Sequence, residues 1–210
     1  MKLDDVRSRI AAQPQRGDSE LLREMLAVLR EAGGGRLVES VHGDYTAYYA
    51  GRPLRPTLPN DIQFLYMRDR QTFMFVLFPE LLPIAYQVGR SVGALVDAWH
   101  RDENPDLGAL LREALELAPI HGYGRPEIVR VEEDFAVYRE HECADCYGMP
   151  NIGYPICVYE AGVTAGALEV GLGRPVEVRE VKCCAAGDPY CEYEIRVGPK
   201  PTGGEEEEPR

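Results

Sequence analysis

Six cysteines lie between Cys143 and Cys191, and the remaining positions of this 210-residue chain hold none. The start, Met1-Lys2-Leu3-Asp4-Asp5, lacks the charged-then-apolar layout of an export signal, so the cytosol is the expected compartment. There, clustered thiols are expected as metal ligands, redox groups or core residues rather than disulfides. Cys183 and Cys191 flank Gly187-Asp188-Pro189, a turn that would bring two thiols together across a hairpin. Glu180 stands one step back on the first strand, and Cys157 opens the preceding helical stretch. Three thiolates and one carboxylate would close a tetrahedral site of the structural zinc type. Magnesium and calcium suit so thiolate-rich a set poorly. The plain alternative is a group of buried cysteines packing as small hydrophobes.

Strand parity leaves one ligand open. Alternation puts Glu180 on the face of Lys182 and Cys184, with Cys183 pointing the other way. A regular strand therefore nominates Cys184, and only a bulge lets Glu180 and Cys183 converge. Upstream, Cys143-x-x-Cys146 beside His141 reads as a metal half-site, a redox pair or two inert thiols. It lacks the βαβ setting of a thioredoxin-like motif.

The elements that must position these groups follow from periodicity. Leu21, Leu22, Met25, Leu26 and Leu29 have helical spacing, stopped by Gly33-Gly34-Gly35. Arg36 to Ala50 is rich in β-branched and aromatic residues and predicts one or two short strands. Ile62 to Met67 and Thr72 to Phe78 predict two more, joined across Arg68-Asp69-Arg70. Helices are expected over Leu81 to Trp99, Asp106 to Leu117 and Cys157 to Gly171. Paired strands are expected at Glu127 to Val131 with Phe135 to His141, and at Val176 to Cys184 with Cys191 to Val197. Grouped helices and strands point to an α+β class with an antiparallel sheet. The division expected is a helical segment at 1–34, one domain at 35–198 and a disordered acidic tail at 199–210.

Cys157-Val-Tyr-Glu-Ala-Gly162, Gly166, Val176-Glu-Val-Arg-Glu180-Val-Lys-Cys183, Gly187-Asp188 and Cys191-Glu-Tyr-Glu-Ile195 together resemble the 4-vinyl-reductase (4VR) domain family. That family includes hydrocarbon-binding proteins and the sensory domains of phenol-responsive transcription activators. The resemblance is closest over 127–198. It implies a fold similar to the small subunits of vesicle-tethering complexes. It also implies Zn2+ on Cys157, Glu180, Cys183 and Cys191, which settles the parity question for Cys183; Cys143, Cys146 and Cys184 are secondary candidates. An apolar pocket between helices and sheet is implied as well, with Tyr86, Trp99, Tyr123, Phe135 and Tyr138 as candidate lining residues, each of which could equally be core.

A closed four-ligand zinc offers no open position for substrate, and none of His42, His100, His121 and His141 sits in a catalytic motif. No phosphate loop or dinucleotide fingerprint appears. Binding is therefore expected ahead of catalysis: a zinc-stabilised domain for a small hydrophobic molecule, acting as sensor, carrier or chaperone. The family resemblance also suggests a tetrapyrrole 4-vinyl reductase or its assistant, or an assembly subunit. A net charge of −12 argues against direct nucleic-acid binding. No apolar run is long enough to span a bilayer. Four-residue glycine spacing, at Gly89 and Gly93 and again at Gly162 and Gly166, marks helix faces that could pair two copies as a homodimer.

Overall fold

A computed structural model describes Ser8, Ala12 and residues 19–58, 62–96, 105–116 and 118–200. Among these, six α-helices accompany a four-stranded antiparallel sheet, an α+β architecture. The helices are α1 (Ser19–Gly35), α2 (Leu37–Tyr49), α3 (Ile62–Leu77), α4 (Leu82–Val96), α5 (Leu107–Glu116) and α6 (Val158–Leu172). The strands are β1 (Arg125–Val131), β2 (Phe135–His141), β3 (Val176–Lys182) and β4 (Cys191–Val197), in the order β1-β2-β4-β3. No single described helix is long and apolar enough to cross a membrane. Trp99 lies outside the described residues, as does the tail from 201.

Two sequence expectations are corrected in the N-terminal half. Arg36 to Ala50 forms α2, not strands, because Leu37, Val41, Tyr45 and Tyr48 recur at helical spacing and pack inward. Residues 62–77 form the single helix α3. Its buried positions, Phe64, Leu65, Arg68, Asp69, Thr72 and Phe75, follow a 3.6-residue period, but half of them are polar. That polarity made Arg68-Asp69-Arg70 look like a turn. Arg68, 1% exposed, instead bonds Asp69 at 3.1 Å and Asp44 at 2.9 Å beneath the helix. The glycine run does stop α1, with Gly33 and Gly34 at positive φ.

The sheet buries one face. Along β2 the buried residues alternate, placing Ala136, Tyr138 and Glu140 inward, and Tyr138 stacks on its cross-strand partner Tyr193 at 4.6 Å between ring centres. The helix α6 covers this face, and Thr164 takes up the buried Tyr138 hydroxyl at 3.1 Å. On the opposite face, Glu192 is bound by Arg139 at 2.7 Å and Lys182 at 2.9 Å.

Helix α4 then packs on α6, backbone against backbone. A Cβ at Gly93 would lie 2.0 Å from the Val163 carbonyl oxygen, and one at Gly166 1.9 Å from that of Arg90. Gly89 and Gly162 meet the facing helix as closely. The glycine stripes are thus consumed within one chain, which removes the basis for expecting a homodimer through them. Arg90 clamps the pair from the rim through both oxygens of Glu169.

Gly166→Ala is expected to lower the urea midpoint, because roughly 1–3 kcal/mol of overpacking against backbone outweighs a helix-propensity gain of about 1 kcal/mol. Gly43→Ala, on α2 with nothing within 4 Å, should raise it. Equal shifts of the two variants would contradict the close α4–α6 contact.

Candidate metal centre

The cysteine-rich site is assembled where three strand ends meet a helix start. Residue Cys157 occupies the N-cap of α6, and its backbone N–H donates to Glu180 Oε2 at 2.9 Å. Beyond β3, Cys183 is fixed by Asp188, whose carboxylate accepts the Cys183 N–H at 3.0 Å while its own N–H returns to the Cys183 carbonyl. Cys191 opens β4 on the returning side.

Parity is broken where convergence requires it. Glu180 pairs with Tyr193 and Lys182 with Glu192, so β3 carries an extra residue, Val181, against β4. This bulge rotates the strand end, leaving Glu180 and Cys183 both buried and on one site. Cys184 is also buried but begins a 3₁₀ turn and joins neither of the four-donor sets described next.

Donor atoms of Cys157, Glu180, Cys183 and Cys191 all lie within 4.8 Å of one another, and those of Cys143, Cys146, Cys157 and Cys191 do the same. Sulfur–sulfur separations are 3.8 Å for Cys157–Cys183, 3.8 Å for Cys157–Cys191 and 3.7 Å for Cys143–Cys157. A tetrahedral ion with metal–sulfur bonds of about 2.3 Å has an S–S edge of about 3.8 Å. The buried cluster can therefore hold a metal ion. Glu180 fits the same reading: one oxygen is bonded to backbone, while Oε1 is buried and unpartnered. An orphaned carboxylate oxygen at this depth is costly unless a cation meets it.

Electrostatics within the cluster are mutually strained. Hydrogen bonds from Cys146, Cys157 and Cys191 hold Cys183 well below the ordinary thiol range, and Cys146 and Cys191 bring Cys184 to about 5. Burial, with Cys183 adding to it, pushes the Glu180 carboxyl well up. Sequence reasoning missed two further acids, Asp145 and Glu140. Burial raises both, with Glu160 and Cys143 as charged neighbours. Glu140 was legible by parity, since it shares the inward face of Ala136 and Tyr138 and pairs directly with Cys191. His141, suspected as a neighbour of the pair Cys143–Cys146, faces Glu127 at 2.9 Å and joins neither donor set.

The Cys143–Cys146 turn is held from outside. Glu142, just before it, adopts φ +55°, the one non-glycine residue at positive φ among those described. Its carboxylate accepts from the Thr57 hydroxyl and from the N–H groups of Thr57 and Leu58 at 3.0 and 3.1 Å, and its carbonyl accepts from buried Arg55.

The five pocket candidates do not share a cavity. Tyr138 is core; Phe135 lies on the other face of β2, between Arg130 and Arg196. Tyr86 accepts the edge N–H of Val178, and Tyr123 is 41% exposed beside His121. The expectation failed because parity separates residues 135 and 138. A cleft of about 690 Å³ does lie between α5 and β1, over Leu115, Pro119, Pro126 and Ile128 with Arg112 and Arg125 at its rim.

These features define a class: an α+β domain whose terminal hairpin and a helix start meet in a thiol-rich cluster. Residues 136–197, which carry β2, α6, β3, β4 and every cluster residue, match the vinyl-4-reductase (4VR) domain family. An uncharacterized protein of Methanocaldococcus jannaschii is 36% identical over 117 residues, covering 56% of this chain and 65% of that relative's length. The chain thus spans just under two thirds of it. The phenol-responsive sensory domain of the transcription activator PoxR, solved with phenol, superposes with TM-score 0.52 at 16% identity, covering 64% of this chain and 74% of that one. The two share a fold. A vinyl-4-reductase family protein from M. jannaschii gives TM-score 0.44 at 17% identity, over 77% of this chain and 92% of that one.

Burial alone would raise the Glu142 carboxyl, but its bonds from Thr57 and Leu58 and the nearby Arg125 hold it below the ordinary value. Its stabilisation is therefore complete above the usual carboxylate pKa of about 4.3 and is lost as pH falls through the lower folded value. Glu142→Gln should cost about 1.5–3 kcal/mol at neutral pH and less below pH ~3, read from urea midpoints. A pH-independent cost would count against the charged contacts.

Proposed function

We propose that this chain is a binding domain for a small hydrophobic molecule, its terminal hairpin stapled to α6 by zinc on Cys157, Glu180, Cys183 and Cys191. The observation that carries the reading is the meeting of those four donors, at zinc-like spacing, inside the segment that matches the 4VR family. Borderline-soft Zn2+ suits three thiolates and a carboxylate, whereas hard, oxygen-preferring cations do not. With four protein ligands the ion has no vacant position, so its work is mechanical: it couples metal binding to folding of the hairpin.

Binding falls to another part of the fold. The α5–β1 cleft has a volume in the range of small-molecule sites, an apolar floor and two arginines at the rim. PoxR's sensory domain is named for its response to phenol, and a phenol-sized aromatic is the ligand class favoured here. The domain then acts as a sensor, carrier or chaperone.

Elemental analysis of the purified chain should find zinc. Treatment with 1,10-phenanthroline should lower the thermal midpoint, and zinc should restore it. Protein free of metal, with a midpoint indifferent to chelator, would overturn the staple. For the cleft, calorimetric titration with phenol should give saturable binding that Ile128→Arg weakens at least tenfold while circular dichroism stays unchanged. Wild-type affinity in that variant would place the ligand elsewhere.

A further inference from the structure

The two four-donor sets share two members, Cys157 and Cys191, and each adds two donors of its own. Glu180 and Cys183 belong to one set, Cys143 and Cys146 to the other. Two shared and four unshared ligands are what two tetrahedral ions joined along one edge require. We propose that the cluster holds two divalent ions, bridged by the thiolates of Cys157 and Cys191, with Cys143 and Cys146 completing the second. This rests on the zinc staple for the first ion and goes beyond it for the second.

Three observations carry the second site. The bridging pair, 3.8 Å apart, has the length of one tetrahedral edge, and Cys143 stands 3.7 Å from Cys157. Cys146 lies 3.3 Å from Cys157 and 3.2 Å from Cys191, in contact with both bridging sulfurs at once. Cysteines that merely fill a core have no reason to meet sulfur on several sides.

The turn is also built in advance. Glu142 holds a backbone conformation unfavourable to a side chain, and Arg55, Thr57 and Leu58 keep it there. The Cys143 carbonyl accepts from the Tyr147 N–H at 2.9 Å, and Ala144 N–H reaches the Tyr123 carbonyl, so both thiols are aimed before any ion arrives.

The surroundings lack compensating charge. Asp145, 3% exposed within the turn itself, and Glu140, 8% exposed opposite Cys191, each keep a buried carboxylate oxygen without a partner. Neither forms an ion pair with a basic residue among those described. Sulfur-rich tetrahedral donors favour zinc, or iron in sulfide clusters. The close packing of all four sulfurs around one point favours a single ion over a cluster with inserted sulfides.

Native mass spectrometry of the full chain, purified without chelator, should show two zinc ions per chain. Cys143→Ser/Cys146→Ser should retain one, and so should Glu180→Gln/Cys183→Ser. One ion in the wild type, unchanged in the first variant and lost in the second, overturns the second site and leaves the staple standing. A metal-free wild type overturns both. A two-hydrogen mass deficit placing a disulfide between Cys143 and Cys146 overturns the second site alone. Should either variant fail to fold, cadmium-113 NMR of the substituted wild type decides: two thiolate-range resonances coupled through shared sulfurs support the bridge, and a single resonance refutes it.

Discussion

Six sulfur atoms and the carboxylates of Glu140, Asp145 and Glu180 are withdrawn from water together, with no basic side chain paired to any of those acids among the described residues. In a small interior volume such a collection is unstable by itself. Buried anions repel, and each unpaired oxygen or thiolate forfeits its hydration. Protonation relieves part of this, as the raised carboxyls of Glu140, Asp145 and Glu180 indicate. A cation relieves all of it at once. Everything else at this end of the domain, the bulge at Val181, the Asp188 brace and the left-handed Glu142, serves to keep those donors converged.

Convergence depends on the order in which layers are stacked. The α4–α6 contact, made backbone to backbone through glycine, leaves α6 no freedom to rise off the sheet. Its N-cap, Cys157, is therefore fixed in height above Glu180, and the bond from Cys157 N–H to Glu180 Oε2 sets its lateral position. A looser helix pair packed through leucines would let α6 slide by more than the difference between a bonded and an unbonded sulfur. The glycine stripe is thus part of the metal centre's construction, although it lies on the far side of the helix.

Residues of the sheet and its covering helix were readable in order, because alternation at 135–141, 176–182 and 191–197 and the small-residue spacing of 158–172 reflect one-sided burial directly. The same logic failed at α2 and α3. There, β-branched and aromatic side chains at helical spacing mimic strands, and buried Arg68, Asp69 and Gln71 hide the apolar period. Within the site, Cys157, Cys183 and Cys191 were visible from spacing and turn chemistry. Their face was not, because a one-residue bulge has no local signature at Val181. Nor could local patterning reveal that Cys143 and Cys146 reach the same sulfurs, since that meeting depends on a loop held by Arg55 and Thr57, some 85 residues earlier.

The closed centre and the open cleft lie toward the same end of the sheet. β1 begins where β2 ends, with Arg125 paired to His141, and Arg125 is both a rim residue of the cleft and an ion-pair neighbour of Glu142 at 3.9 Å. Just before it, Gly124 sits so close to the Glu140 carboxylate that a Cβ there would overlap it. The start of β1 is therefore pressed onto the cysteine turn on one side and faces the cleft on the other. Stiffness supplied at the cluster is transmitted to that wall through contacts of one or two residues, whereas the rest of β1 is an exposed edge. A metal centre without an open coordination position thus still governs the cleft: it holds the wall in place.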